Sequence, residues 1–124
     1  MKVLTIREPW ASLIINGYKK YEFRSWKTNY RGKLLIHAGK GIDKDMLYIA
    51  DTYNIKINPG NILGEVEITD CIKLDDEFNN YLKKDNSLLY HGDYKDSYAW
   101  KIDNVKKYNK IIPVDGKLGL WNYE

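Results

Sequence analysis

Soft metal ligands and imidazoles are scarce in this chain. One cysteine, Cys71, and two histidines, His37 and His91, are all that 124 residues offer. A lone cysteine closes no internal disulfide and suits a reducing compartment. Three such residues, far apart along the chain, do not make a zinc site, so no metal is expected. Equally missing are a Gly-rich phosphate loop, a nucleophile elbow and a Ser/His/Asp arrangement, and no cofactor is implied. The first apolar run, residues 2–6, ends at Arg7, too short for a signal-peptide core or a bilayer span. The expectation is a cytoplasmic chain without a membrane partner. Repeats, low-complexity tracts and linkers are absent too, which leaves residues 1–124 as one domain.

What is abundant is aromatic and, locally, basic. Hydrophobic residues make up 44% of the chain, and four Trp and eleven Tyr supply most of its aromatic surface. That excludes disorder and provides a core. The formal net charge of +3 conceals an uneven distribution. Residues 1–40 carry nine Lys/Arg against two acids, a balance of +7, while the remaining 84 carry eleven against fifteen, a balance of −4. Such a basic third permits an anionic partner. The sequence pI of 8.8 nevertheless lies below the ~9 of dedicated nucleic-acid domains.

Periodicity predicts a short first strand over residues 2–6. A helix follows, opened by Pro9, with Trp10, Leu13, Ile14 and Gly17 on one face and Gly17 as its stop. Residues 20–25 alternate as a strand with Lys20, Glu22 and Arg24 on one face. Further strands are expected over 33–38, 62–74 and 98–108, with short closing pieces at 111–113 and 117–121. Helices are expected over 43–53 and 75–84. Gly64 marks a bulge or a close approach. The polar stretch 85–96 is the best loop and a candidate flap. Several strands with short helices between them indicate an α+β domain whose mixed sheet curls toward a small barrel.

The segment from Arg7 to Ala38 concentrates the chemistry. Glu22 between two cations reads either as a ladder of surface ion pairs or as a site floor. In the second case Arg24 grips phosphate and Glu22 accepts from a base edge. Trp26 and Tyr30, on a basic turn, either cap the core or stack on bases. Arg31-Gly32 is a turn open to a phosphate. His37, on a strand with Lys33 and Leu35, serves as a structural hydrogen-bonder or a catalyst. Glu65 and Glu67 are a base with its modulator, or the wet side of a strand.

Taken in order, Pro9-Trp10-Ala11-Ser12-Leu13-Ile14, Gly17-Tyr18-Lys19, Glu22, Arg24, Trp26, Thr28, Tyr30-Arg31-Gly32 and Leu34–Ala38 closely resemble the signature of ASCH domains. Pro59-Gly60, Gly64, Glu67, Asp70-Cys71, Tyr98-Ala99-Trp100 and the run from Gly116 to Trp121 continue the resemblance almost to the end. It implies a PUA-like fold, a small, partly open β-barrel with short rim helices. It also implies a cleft beside the first helix lined by Pro9, Trp10, Lys19, Glu22, Arg24, Tyr30, Arg31 and His37, with Trp26 as a further base-stacking candidate. RNA or a nucleoside or nucleotide is the partner the family suggests. One branch acts as an amidohydrolase on N4-acetylcytidine through a Lys, a Thr and a Glu. Carried over, the lysine falls on Lys19, the glutamate on Glu67 and the threonine on Glu22. A carboxylate at the hydroxyl position is a poor nucleophile for amide cleavage, so binding ranks ahead of catalysis.

Overall fold

A computed structural model describes residues 1–92 and 94–124. Six strands form one mixed sheet: β1 (Lys2–Glu8), β2 (Tyr21–Arg24), β3 (Gly32–Ile42), β4 (Asn61–Lys73), β5 (Tyr98–Pro113) and β6 (Leu120–Asn122). Their order is β2-β5-β4-β3-β1-β6, with β1 parallel to β3 and every other pair antiparallel. The helices are short: α1 (Trp10–Ile15), α2 (Leu47–Thr52), preceded by a 3₁₀ turn over Lys44–Met46, and α3 (Asp76–Asp85). None among the described residues is long and apolar enough to cross a membrane.

The sheet curls without closing. β2 stands at one end of the order and β1 near the other, with no ladder between them, yet the Arg24 guanidinium donates to the Thr5 carbonyl at 2.7 Å. That side-chain bridge spans the gap a closed barrel would fill with backbone pairing. Inside the curl, Leu4, Ile6, Leu34, Ile36, Val66, Ile68 and Trp100 pack with Ala11, Ile14 and Ile15 of α1. Alternation sends Ala99 to the other face of β5, where it joins Leu13, Ile49, Leu82, Leu89 and Tyr90 under the helices. Val3, Leu35, Ile62 and Trp121 form a third cluster.

Local chemistry explains the connections. Glu8 is buried, but its carboxylate accepts from the Ser12 N–H (2.8 Å), the Ser12 hydroxyl (2.6 Å) and the Asn58 N–H (2.9 Å). It thus serves an N-terminal donor of α1 and ties the helix to the 58–60 turn. At the other end Gly17 adopts φ +84°, with Gly17 N–H donating to Ile14 and Tyr18 N–H to Leu13. That is a Schellman stop, as the position of Gly17 predicts. Asp75 caps α3 by accepting from the Phe78 N–H at 2.8 Å. The helix expected over 43–53 begins as a 3₁₀ turn, and the predicted pieces 98–108 and 111–113 are one strand, β5. The flap expected over 85–96 is a turn-rich connection after Asp85, apart from Asp93, which lies outside the described residues.

One prediction arises from this packing. Tyr90 is 2% exposed, its hydroxyl accepts from the Lys20 N–H, and burial pushes its pKa from 10.0 up to about 12. The folded chain therefore keeps a proton that the unfolded chain releases above pH 10. Stability present below pH 10 should be lost as pH rises toward 12, by roughly 2 kcal/mol. Denaturant melts from pH 9 to 12 should show this decline, weakened in Tyr90→Phe. Parallel curves for the two proteins would exclude it.

Candidate functional site: a cleft in the gap between β1 and β2

A cavity of about 780 Å³ occupies the opening between β1 and β2. That is within the ~300–1,000 Å³ typical of small-molecule sites. Thr5, Ile6 and Arg7 line it from β1, and Glu22, Phe23 and Arg24 from β2. Trp10 enters from the start of α1, residues 42–46 from the end of β3 and the 3₁₀ turn that follows, and His91, Gly92 and Tyr94 from the loop after α3.

Glu22 is the hub. One carboxylate oxygen accepts from Lys19 Nζ at 3.4 Å and from the Phe23 N–H at 3.2 Å; the other accepts from Arg24 Nε at 3.2 Å, with Arg24 Nη2 at 3.1 Å. The side chains of Lys19 and Glu22 are only 4% and 9% exposed. Lys19 Nζ also donates to the Tyr21 carbonyl at 2.5 Å and lies 5.6 Å from the Trp10 ring centroid and 4.7 Å from that of Phe23. Two π faces thus help hold a buried ammonium. Burial pulls the Lys19 pKa below the usual lysine range, and the Arg24 cation adds to this, while Glu22 opposes it.

The rings are set by packing. Phe23 stacks on Tyr94 with centroids 3.9 Å apart and 11° between planes. Trp10 is fixed by its indole N–H donating to Asp43 Oδ2 at 2.8 Å, while Asp43 Oδ1 accepts from Arg7 Nε at 2.9 Å. The cleft holds Arg7, Lys19, Arg24 and Lys44 against Glu22, Asp43 and Asp45. Arg7, Lys19 and Arg24 are each engaged by a carboxylate. The arrangement is polar and aromatic rather than a bare cationic trough.

Of the residues the sequence singles out, Trp10, Lys19, Glu22 and Arg24 converge here. Lys19, not Lys20, turns inward, because the Schellman stop reverses the chain and Lys19 N–H also donates to Leu13. Lys20 is exposed. The remaining residues stand elsewhere. Pro9 is buried at the α1 start, following a cis peptide bond. Trp26 packs edge-on against Trp100 at 4.8 Å and is 38% exposed. Tyr30 and Arg31 satisfy their own turn: the Tyr30 hydroxyl donates to the Lys33 carbonyl, and Arg31 donates to the Thr28 and Tyr30 carbonyls at 3.1 and 2.9 Å.

His37 shares a strand face with Leu35, away from the inward Ile36, and is buried. Its Nε2 meets the Val114 carbonyl at 2.7 Å and its Nδ1 meets Thr5 Oγ1 at 3.1 Å. A carbonyl only accepts, so Nε2 carries the proton and, in the neutral ring, Nδ1 accepts from the Thr5 hydroxyl. Glu67 lies outside the cleft on β4 and accepts from Asn104 Nδ2 at 2.7 Å. It follows the outward alternation opposite the buried Val66 and Ile68. The Lys19, Glu22 and Glu67 set is therefore not assembled.

A curled, unclosed mixed sheet with short rim helices and a polar cleft in its gap defines a PUA-like α+β domain. A family model described as ASCH domain matches residues 4–112, and the chain belongs to the ASCH domain family. It is similar to activating signal cointegrator 1 of Homo sapiens, with 33% identity over 81 residues, covering 56% of this chain and 14% of that protein. It is also similar to activating signal cointegrator 1 of Mus musculus, with 26% identity over 136 residues, covering 98% of this chain and 22% of that protein. The chain thus spans at most about a fifth of the length of these relatives. In fold it is similar to the crystal structure of ASCH from Zymomonas mobilis, with a TM-score of 0.56 and 14% identity, over 92% of this chain and 72% of that one.

Proposed function

We propose that the cleft binds a single nucleobase, presented by RNA or by a free nucleoside. The observation that carries this reading is the Glu22 carboxylate, held by Lys19 and Arg24 at the floor of an aromatic-walled cavity. A carboxylate offers about four lone-pair sites. Hydrogen bonds from Lys19, the Phe23 N–H and Arg24 Nε take three of them, Arg24 Nη2 donating instead to Thr5, so Glu22 keeps one for a donor on a base edge, while Trp10 and the Phe23/Tyr94 pair offer ring faces. Base–aromatic stacking contributes about 1–3 kcal/mol per base. The amidohydrolase alternative loses its third member, since Glu67 is engaged with Asn104 outside the cavity.

Titration with a panel of nucleosides and short oligoribonucleotides tests the proposal. Trp10→Ala and Arg24→Ala are each expected to weaken binding about tenfold or more. Affinities indifferent to both substitutions would reject it. Release of cytidine from N4-acetylcytidine, abolished by Lys19→Ala, would restore the hydrolytic alternative.

A further inference from the structure

A second cavity of about 420 Å³ lies against the first and shares Thr5 and Arg7 with it. Its floor is largely backbone, from the 39–41 segment of β3, Gly60 and the 114–118 loop. It is narrow in chemistry: the cations Arg7, Lys40 and Lys117 face one acid, Asp115. Unlike the first cavity, it has no buried ion pair at its base. Lys40 and Asp115 approach at 3.3 Å, but their side chains are 80% and 91% exposed, so that pair is open to exchange with another anion. Lys117 has its ammonium 5.9 Å from the Trp121 ring centroid.

Close packing keeps this floor bare. A Cβ on Gly41 would meet Arg7 Nη1 at 2.7 Å, and one on Gly116 would meet Thr5 Oγ1 at 2.7 Å and His37 Cε1 at 2.8 Å. At Gly116 the neighbours are the buried His37 ring and Thr5, so glycine is required there, whereas at Gly41 only the movable tip of Arg7 would have to shift; either way main chain is left open beside three cations. Arg7 spans the two cavities. Its Nε is fixed on Asp43 and its Nη2 donates to the Ile42 carbonyl at 3.2 Å, while the side chain remains 59% exposed. At the outer wall, the apolar side chain of Leu118 is 99% exposed.

We infer that the second cavity carries the sugar-phosphate backbone flanking the base held in the first, so that the ligand is a single RNA strand crossing β1 over Arg7. The inference rests on the base-binding reading for the first cavity and extends it from a nucleoside to a strand. Charge divides accordingly: paired carboxylate and rings where a base edge is read, and excess cation over open backbone where phosphates pass.

The probes are the four ribonucleosides and the corresponding homotetranucleotides, titrated into the full chain by calorimetry at several salt concentrations. Trp10→Ala is the cleft variant, and Lys40→Glu with Lys117→Glu the second-cavity variant. The tetranucleotide should bind at least tenfold more tightly than the nucleoside, with affinity falling as salt rises. The double variant should erase that gain and lower the salt slope by roughly 1.4, as expected for two single-strand phosphate contacts, while nucleoside affinity stays within twofold. A tetranucleotide that binds no better than its nucleoside, or a double variant that leaves it unchanged, overturns the inference and leaves the base-binding reading intact. Salt-sensitive tetranucleotide binding lost in the double variant but indifferent to Trp10→Ala, with no nucleoside bound, overturns the base-binding reading instead and keeps the second cavity as the phosphate path.

Discussion

Gly64→Ala should cost the fold about 3 kcal/mol or more, a large share of the roughly 5–15 kcal/mol by which domains of this kind are stable. Gly64 lies where β4 and β5 slip register, between the Ile62–Ile112 and Gly64–Lys107 pairs. A Cβ there would overlap the Lys106 carbonyl oxygen, lie 2.8 Å from Ile15 Cδ1 and 3.0 Å from the Lys107 Cα. Two of those three atoms are backbone, and the third belongs to a side chain buried in the main core. None can retreat cheaply, so overpacking reaches the upper end of its ordinary range. Gly17→Ala is the internal control. Gly17 has φ +84° but nothing within 4 Å of its added methyl, so only conformational strain, about 1 kcal/mol, is expected. Urea melts of the two variants should differ by at least about 2 kcal/mol. Equal losses would show that the β4–β5 crossing is looser than its geometry implies.

This contrast also marks what a sequence makes legible. Isolated glycines are readable as backbone requirements: Gly17 is the helix stop and Gly64 the close approach that their positions predict. The strands follow from short apolar runs at 2–6 and 33–38 and from period-two alternation at 20–25, and the short helices from period 3.6, because these patterns are local. The curl is not local. It depends on Arg24 reaching the Thr5 carbonyl across 19 residues and on the rings packed beneath β2, which no short window contains.

The cleft divides along the same line. Trp10, Lys19, Glu22 and Arg24 fall within 15 residues of one another, and a dense polar and aromatic segment exposes them. Arg7 belongs to the same basic segment, but its partner Asp43 lies 36 residues away, as Trp10 lies 33 from it. His91 and Tyr94 arrive from a loop whose only signal was its polarity. Tyr30, Arg31 and His37 stand apart from the cleft for one shared reason. Each has hydrogen-bonding capacity that suits a ligand, and each directs it to backbone carbonyl groups of its own fold. Alternation alone also selected Lys20 over Lys19. The helix stop at Gly17 decides otherwise, since reversal of the chain resets which side chain faces inward.

Glu22→Gln is expected to destabilise the protein by about 3–5 kcal/mol, the range for removing one partner of a buried ion pair. The amide keeps the shape of the side chain but leaves Lys19, 4% exposed, without a counter-charge and with Arg24 still beside it. Neither Trp10 nor Phe23 offers more than a ring face in compensation. The pH dependence fixes the sign. The folded-state pKa of Lys19 already lies below 10.5 because burial disfavours its charge, and loss of Glu22 lowers it further. Between that lowered value and 10.5 the unfolded chain holds a proton that the folded one has shed, so stability climbs as pH rises through this window. The variant should thus be weakest near neutrality and regain stability toward pH 10, a steeper climb than the parent shows. Adding Lys19→Met removes the stranded ammonium, and the double variant should recover at least half of the loss with its slope abolished. Single and double variants that melt together across pH 7–10 would mean that water, rather than Glu22, balances the Lys19 charge, and the floor of the cleft would then be wet.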